Sequence, residues 1–123
     1  MKRPKMVEHM FSIWEQKHAE WRVSDIEPWD FANNVADGMV SDFPIDAVRE
    51  LLSYCEHCFE TNAGAADAEL GHIYAETVDQ YMCSYEVMDD SPETAKMLAY
   101  AIIGEAFARM FRHSGCLIAA SVK

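Results

Sequence analysis

From Val23 to Ala95 the chain has almost no positive charge. Arg49 is the single basic side chain in those seventy-three residues, against seventeen acids, a formal −16. The other nine Lys and Arg residues lie in the two ends, opposed there by four acids, and the whole chain carries −11. Such a segment repels the phosphates of nucleic acids and of anionic membranes, and it draws cationic partners. It also lacks internal relief. Like charges one helical turn apart cost about 0.2–0.5 kcal/mol per pair, and an ordinary solvated face mixes both signs.

Other absences narrow the class further. There is no apolar run of about 18 residues, which excludes a transmembrane helix. The five glycines are isolated, so no glycine-rich phosphate loop is present. The basic start, Met1 to Lys5, is not followed by a secretory apolar region, because Glu8, His9, Glu15, Gln16 and Lys17 interrupt it. A cytoplasmic protein is expected, with Cys55, Cys58, Cys83 and Cys116 reduced and packed as small apolar residues. The basic residues are few, and phosphate contacts need them clustered, which argues against direct nucleic-acid binding.

Half of the residues are hydrophobic, so this is not a disordered acidic tail. At 123 residues the chain reads as one domain, 1–123, long enough to bury roughly two thirds of its unfolded surface. The apolar residues recur at helical spacing, and no alternating strand is found. The first stripe is Val7, Met10, Phe11, Trp14, His18 and Trp21. A second helix starts near Pro28, with Trp29, Ala32, Val35, Ala36, Met39, Val40 and Phe43 inward, and ends or kinks at Pro44. A third runs from about Ile45 to Thr61 on Ile45, Val48, Leu52, Cys55 and Phe59, with Leu51 and Cys58 widening the stripe. Its stop is Asn62-Ala63-Gly64. A fourth, about Ala66 to Val87, turns Leu70, Tyr74, Thr77, Val78, Tyr81 and Tyr85 inward. Ser91 and Pro92 then supply an N-cap and a first helical residue. The fifth helix, about Pro92 to His113, has Tyr100, Ile103, Phe107, Met110 and Phe111 on one face and Leu98 and Ile102 on the other. A helix apolar on two faces is central in a bundle or part of an oligomer interface. Gly115 ends it, and an apolar tail from Cys116 to Val122 should dock on the core or on a second subunit. The expectation is an all-α, single-domain bundle of about five helices.

Candidate chemistry is sparse. Two Glu-x-x-His pairs, Glu15/His18 and Glu69/His72, have the spacing used by di-iron bundles. The helix phases put His18 on an apolar stripe but Glu69 and His72 on the solvent side, so the pairs cannot share one core. Cys55 and Cys58 form a C-x-x-C preceded by two and a half turns of helix, which denies the first thiol the activating helix N-terminus. A second cysteine pair for zinc is missing. His113, Arg109 and Arg112 read as a positive helix end that complements the dipole. No metal, cofactor or catalytic residue is expected, and the chain is read as non-enzymatic.

The charge therefore carries the functional reading. Asp30, Asp37, Asp42, Asp46, Glu50, Glu56, Glu60, Asp67, Glu69, Glu76 and Asp79 are the candidate partner-binding residues. Carboxylates held on helices can stand in for phosphates before the Arg and Lys of a nucleic-acid groove. The expected partner is a basic, nucleic-acid-binding protein, and the expected role is inhibition by mimicry, as in anti-restriction and anti-CRISPR proteins in general. An immunity protein or antitoxin facing a cationic toxin would use the same electrostatics. A third reading is an acidic scaffold or oligomerisation domain, a homodimer included, whose charge serves solubility alone. A helical-bundle metalloprotein is the fourth.

Overall fold

Proline marks where four of the five described helices begin. The computed structural model describes residues 2–61, 65–84 and 91–112, with side chains in 67–81 of the second stretch. Five helices result: α1 (Lys5–Arg22), α2 (Pro28–Asp42), α3 (Ile45–Glu60), α4 (Ala65–Ser84) and α5 (Pro92–Arg112). No strand occurs among the described residues. The fold is an all-α bundle, as the periodicity predicts. Pro4 and Pro44 are the N-cap residues of α1 and α3, and Pro28 and Pro92 open α2 and α5. A fixed φ suits the first turn, and the missing N–H is one that has no helical acceptor there. Ser91 caps α5 as expected, its Oγ accepting the Thr94 amide at 3.2 Å. The segments 62–64 and 85–90, with Tyr85, and 113–123, with His113, Gly115 and the apolar tail, lie outside the described residues.

Helix α5 is the axis of the core. It packs along α2 and also contacts α1, α3 and α4. Leu98, Ile102, Ile103, Phe107, Met110 and Phe111 are all buried, so both of its apolar faces are used inside the fold. One helix crossing depends on glycine. A Cβ added to Gly71 would lie 2.5 Å from the backbone nitrogen of Phe59, which brings α4 against the backbone of α3. Alanine gains about 1 kcal/mol in helix propensity over glycine. Forcing two backbones apart costs about 1–3 kcal/mol, so Gly71 is the stable choice. At Gly104 the nearest atom is the Asn33 side-chain oxygen, 2.6 Å away, on the neighbouring α2.

Several inward assignments need correction. Trp29 and Phe59, placed on apolar stripes by spacing, are 44% and 51% exposed. On α3 the buried line is Val48, Leu51, Tyr54, Cys55 and Cys58. The helix is rotated from the expected phase because Tyr54 turns inward and its hydroxyl finds Asp67 on α4, at 2.8 Å. That rotation carries Phe59 outward, where its ring meets His72 edge-on. On α4, Ile73 is buried although the stripe omitted it. His18 is half-buried at the core edge, its ring among Trp14, Trp21 and Phe111. Among the described residues no helix is long and apolar enough to cross a membrane.

Candidate functional site

The eleven candidate carboxylates do not form one surface. Nine are exposed: Asp30, Asp37, Asp42, Asp46, Glu50, Glu56, Glu60, Glu76 and Asp79. Helical spacing puts Asp30, Asn34, Asp37 and Ser41 on a single outer line of α2. Asp46 and Glu50 lie on the α3 wall of a separate groove. Glu56 accepts a long hydrogen bond from the Tyr74 hydroxyl, 3.5 Å, and Glu60 ends α3.

The other two are drawn into the fold. Asp67 is 15% exposed and is held by Arg3 through two contacts, Nε to Oδ2 at 3.3 Å and Nη2 to Oδ1 at 3.1 Å. It also accepts the Tyr54 hydroxyl, so one carboxylate staples the N-terminal segment to α3 and α4. The Arg3 guanidinium lies over the Phe11 ring, 4.7 Å from its centre. Burial, then the bond to Asp67, raises the Tyr54 pKa. Glu69, expected on the solvent side, is only 19% exposed and faces Arg109.

Arg109 gathers three carboxylates. Its Nε donates to Glu105 Oε1 at 2.8 Å, Nη2 to Glu76 Oε2 at 3.2 Å, and Nη1 approaches Glu69 Oε1 at 3.7 Å. Burial alone would lower the Arg109 pKa; the hydrogen bond to Glu105 and the charges of Glu105, Glu76 and Glu69 outweigh it and raise it. One cation against three anions leaves a local surplus of two negative charges. Glu76 and Glu105 also line a cavity of about 370 Å³ between α2, α4 and α5. Its other walls include Trp29, Asn33, Tyr81 and Tyr100. The Arg112 guanidinium sits 5.1 Å above the Trp29 ring, so one face of that ring already holds a cation, and Tyr81 and Tyr100 are the other aromatic rings of the wall. Aromatic faces beside surplus carboxylates are a setting for an alkylammonium or guanidinium group.

Sequence reasoning overlooked three parts of this site. Helical spacing puts Glu105 and Arg109 on the face of the fifth helix shared with Leu98 and Ile102, Arg109 also reads as part of its positive end, and Trp29 falls on an inward stripe. Their spacing along the chain holds a weak signal: Glu105 and Arg109 are an i,i+4 pair. Nothing local indicates that α4 would bring Glu69 and Glu76 to the same guanidinium.

The remaining chemistry-bearing residues stay apart. Glu15 is exposed on α1, and His72 packs against Phe59, so the two Glu-x-x-His pairs do not converge. Cys55 and Cys58 are free and buried. Burial pushes the Cys55 thiol up to about 12 and raises Cys58 as well, so both are neutral thiols near pH 7. The side chains of Cys83 and Cys116 are not among those described. Compared with known protein families, curated proteins and solved structures, the chain has no match.

Proposed function

We propose that this chain is a non-enzymatic inhibitor that presents its acidic α2, α4 and α5 surface to a basic groove on a nucleic-acid-handling protein. The observation that carries the reading is the surplus of carboxylate around Arg109 at the edge of an aromatic cavity. Charge density alone is too low for mimicry. Asp30 and Asp37 are two turns apart, about 10 Å along α2, whereas duplex DNA carries a charge every ~1.7 Å. A few point contacts and one anchored side chain must supply what a line of phosphates supplies by number. The cavity beside Glu76 and Glu105 has room for an arginine or lysine of the partner. Such desolvated aromatic and arginine contacts carry a large share of binding energy at protein interfaces. The outlying acids, Asp42, Glu56, Glu60 and Asp79, would act at longer range, raising the encounter rate.

Capture from an extract of the source cell, at low and then physiological salt, tests this. Captured proteins should be nucleic-acid-binding, should be released by added duplex, and should be lost with Asp30→Lys and Asp37→Lys together. Glu8→Lys with Glu15→Lys, exposed on α1, should retain them. Capture indifferent to salt and to duplex, or lost equally in both pairs, would contradict the reading.

A further inference from the structure

The acidic chain folds so that four of its ten basic residues surround one cavity. Lys2, Arg3 and Lys5 form one bank and Arg49, on α3, the other. The volume is about 800 Å³. Arg49 is the lone basic side chain of the −16 segment, and the fold delivers it to the place where the N-terminal bases already are. Gathering like charges costs energy unless something negative offsets them. Inside the wall the offset is partial: Asp46 and Glu50 also line it, which leaves a formal surplus of two positive charges. Asp67, behind Arg3, reduces the surplus to one.

We propose that this groove binds a small phosphate monoester of mononucleotide size. A phosphate monoester carries about −1.5 to −2 at neutral pH, opposite in sign to the wall's net positive charge and more than enough to offset it. Small-molecule sites span roughly 300–1,000 Å³, so the cavity has room for an organic group as well as the phosphate. Arg3 is preorganised, its guanidinium fixed by Asp67 and the Phe11 ring while a third of the side chain stays exposed. Helix α1 opens on the same rim at Pro4 and Lys5, and no side chain caps it. The positive end of its dipole adds to the field an anion meets there. Ser53, on the α3 bank, supplies a hydroxyl donor. Asp46 and Glu50 restrict the ligand to one with its charge concentrated at one end. A long nucleic acid leaving the groove would run onto the acidic helices, so the ligand is a small molecule.

The test is amide chemical-shift mapping on the full chain, with adenosine monophosphate, inorganic phosphate and phosphatidic-acid vesicles as separate probes. Adenosine monophosphate should give saturable shifts at Lys5, Arg49 and Ser53, and inorganic phosphate weaker shifts at the same positions. Vesicles should leave the chain unbound. Arg49→Gln with Lys5→Gln should weaken nucleotide binding at least about tenfold, two charge-assisted contacts being removed. Asp46→Asn with Glu50→Gln should tighten it. All four positions are exposed, so these variants should fold. Shifts that never saturate at millimolar nucleotide, shifts unchanged by either pair of substitutions, or binding to vesicles alone would overturn the proposal.

Discussion

Two arginines divide the molecule. Arg3 faces one carboxylate, Asp67, which is nearly buried and also holds the Tyr54 hydroxyl. Arg109 faces three, and one of them, Glu76, is mostly in solvent. The first cluster is a balanced staple between the N-terminal segment, α3 and α4. The second is unbalanced, and the surplus lies beside an aromatic cavity. The same pairing chemistry can therefore fix a fold or leave charge over for a partner. Stoichiometry and burial decide which.

The largest expected effect removes what both regions share. Phe107 is fully buried on α5, and Phe107→Ala should cost about 3–5 kcal/mol, much of a small domain's stability. Urea unfolding measures it. A midpoint close to the parent's would mean that α5 is not the common support of the two regions.

The next pair tests the division itself. Asp67→Ala leaves the buried Tyr54 hydroxyl and Arg3 without their acceptor and should cost about 1–3 kcal/mol. Glu76→Ala removes an exposed carboxylate from a guanidinium that keeps two others, and should cost about 0–1 kcal/mol. Equal losses in the two variants would erase the distinction between staple and surplus.

How much of this was legible beforehand follows from which interactions are local. Pro28, Pro92 and Ser91 act within one turn as helix starts and Pro44 as a helix end, and the bounds they imply match the fold. The double apolar face of α5 likewise pointed to its central place. The phase of α3 was not legible, because it depends on Tyr54 finding Asp67 thirteen residues later. Spacing alone favoured Phe59, which the observed rotation exposes. Trp29 was misread for a similar reason: its ring is occupied by Arg112, from the far end of the chain. At the candidate site the exposed acids of α2 and α3 could be named from helical spacing. The sharing of Arg109 by Glu69, Glu76 and Glu105 joins two helices, and the gathering of Lys2, Arg3 and Lys5 with Arg49 joins segments over forty residues apart. Neither leaves a periodic trace.

A smaller effect should belong to the staple side alone. Cys55 holds its proton to about pH 12 in the fold, against an ordinary thiol value of 9.0, and burial also raises Cys58, Tyr54 and Tyr74. Above pH 9 the unfolded thiol releases its proton while the folded one keeps it. The unfolded state then binds fewer protons, so stability falls as pH rises from about 9 toward 12. Urea midpoints near pH 7 and near pH 10 should show the loss, and Cys55→Ala should reduce it. A flat profile would mean that these groups meet water in the folded state.

The central claim is that the Arg109 region takes a cation that the Arg3 region refuses. Titration of the full chain with a short arginine-rich peptide, followed by amide shifts residue by residue, tests it most directly. Saturable shifts should concentrate at Trp29, Asn33, Tyr100 and Glu105, with Lys5 and Arg49 unmoved. Shifts spread evenly over the acidic helices and tracking ionic strength, or centred on Lys5 and Arg49, would contradict it.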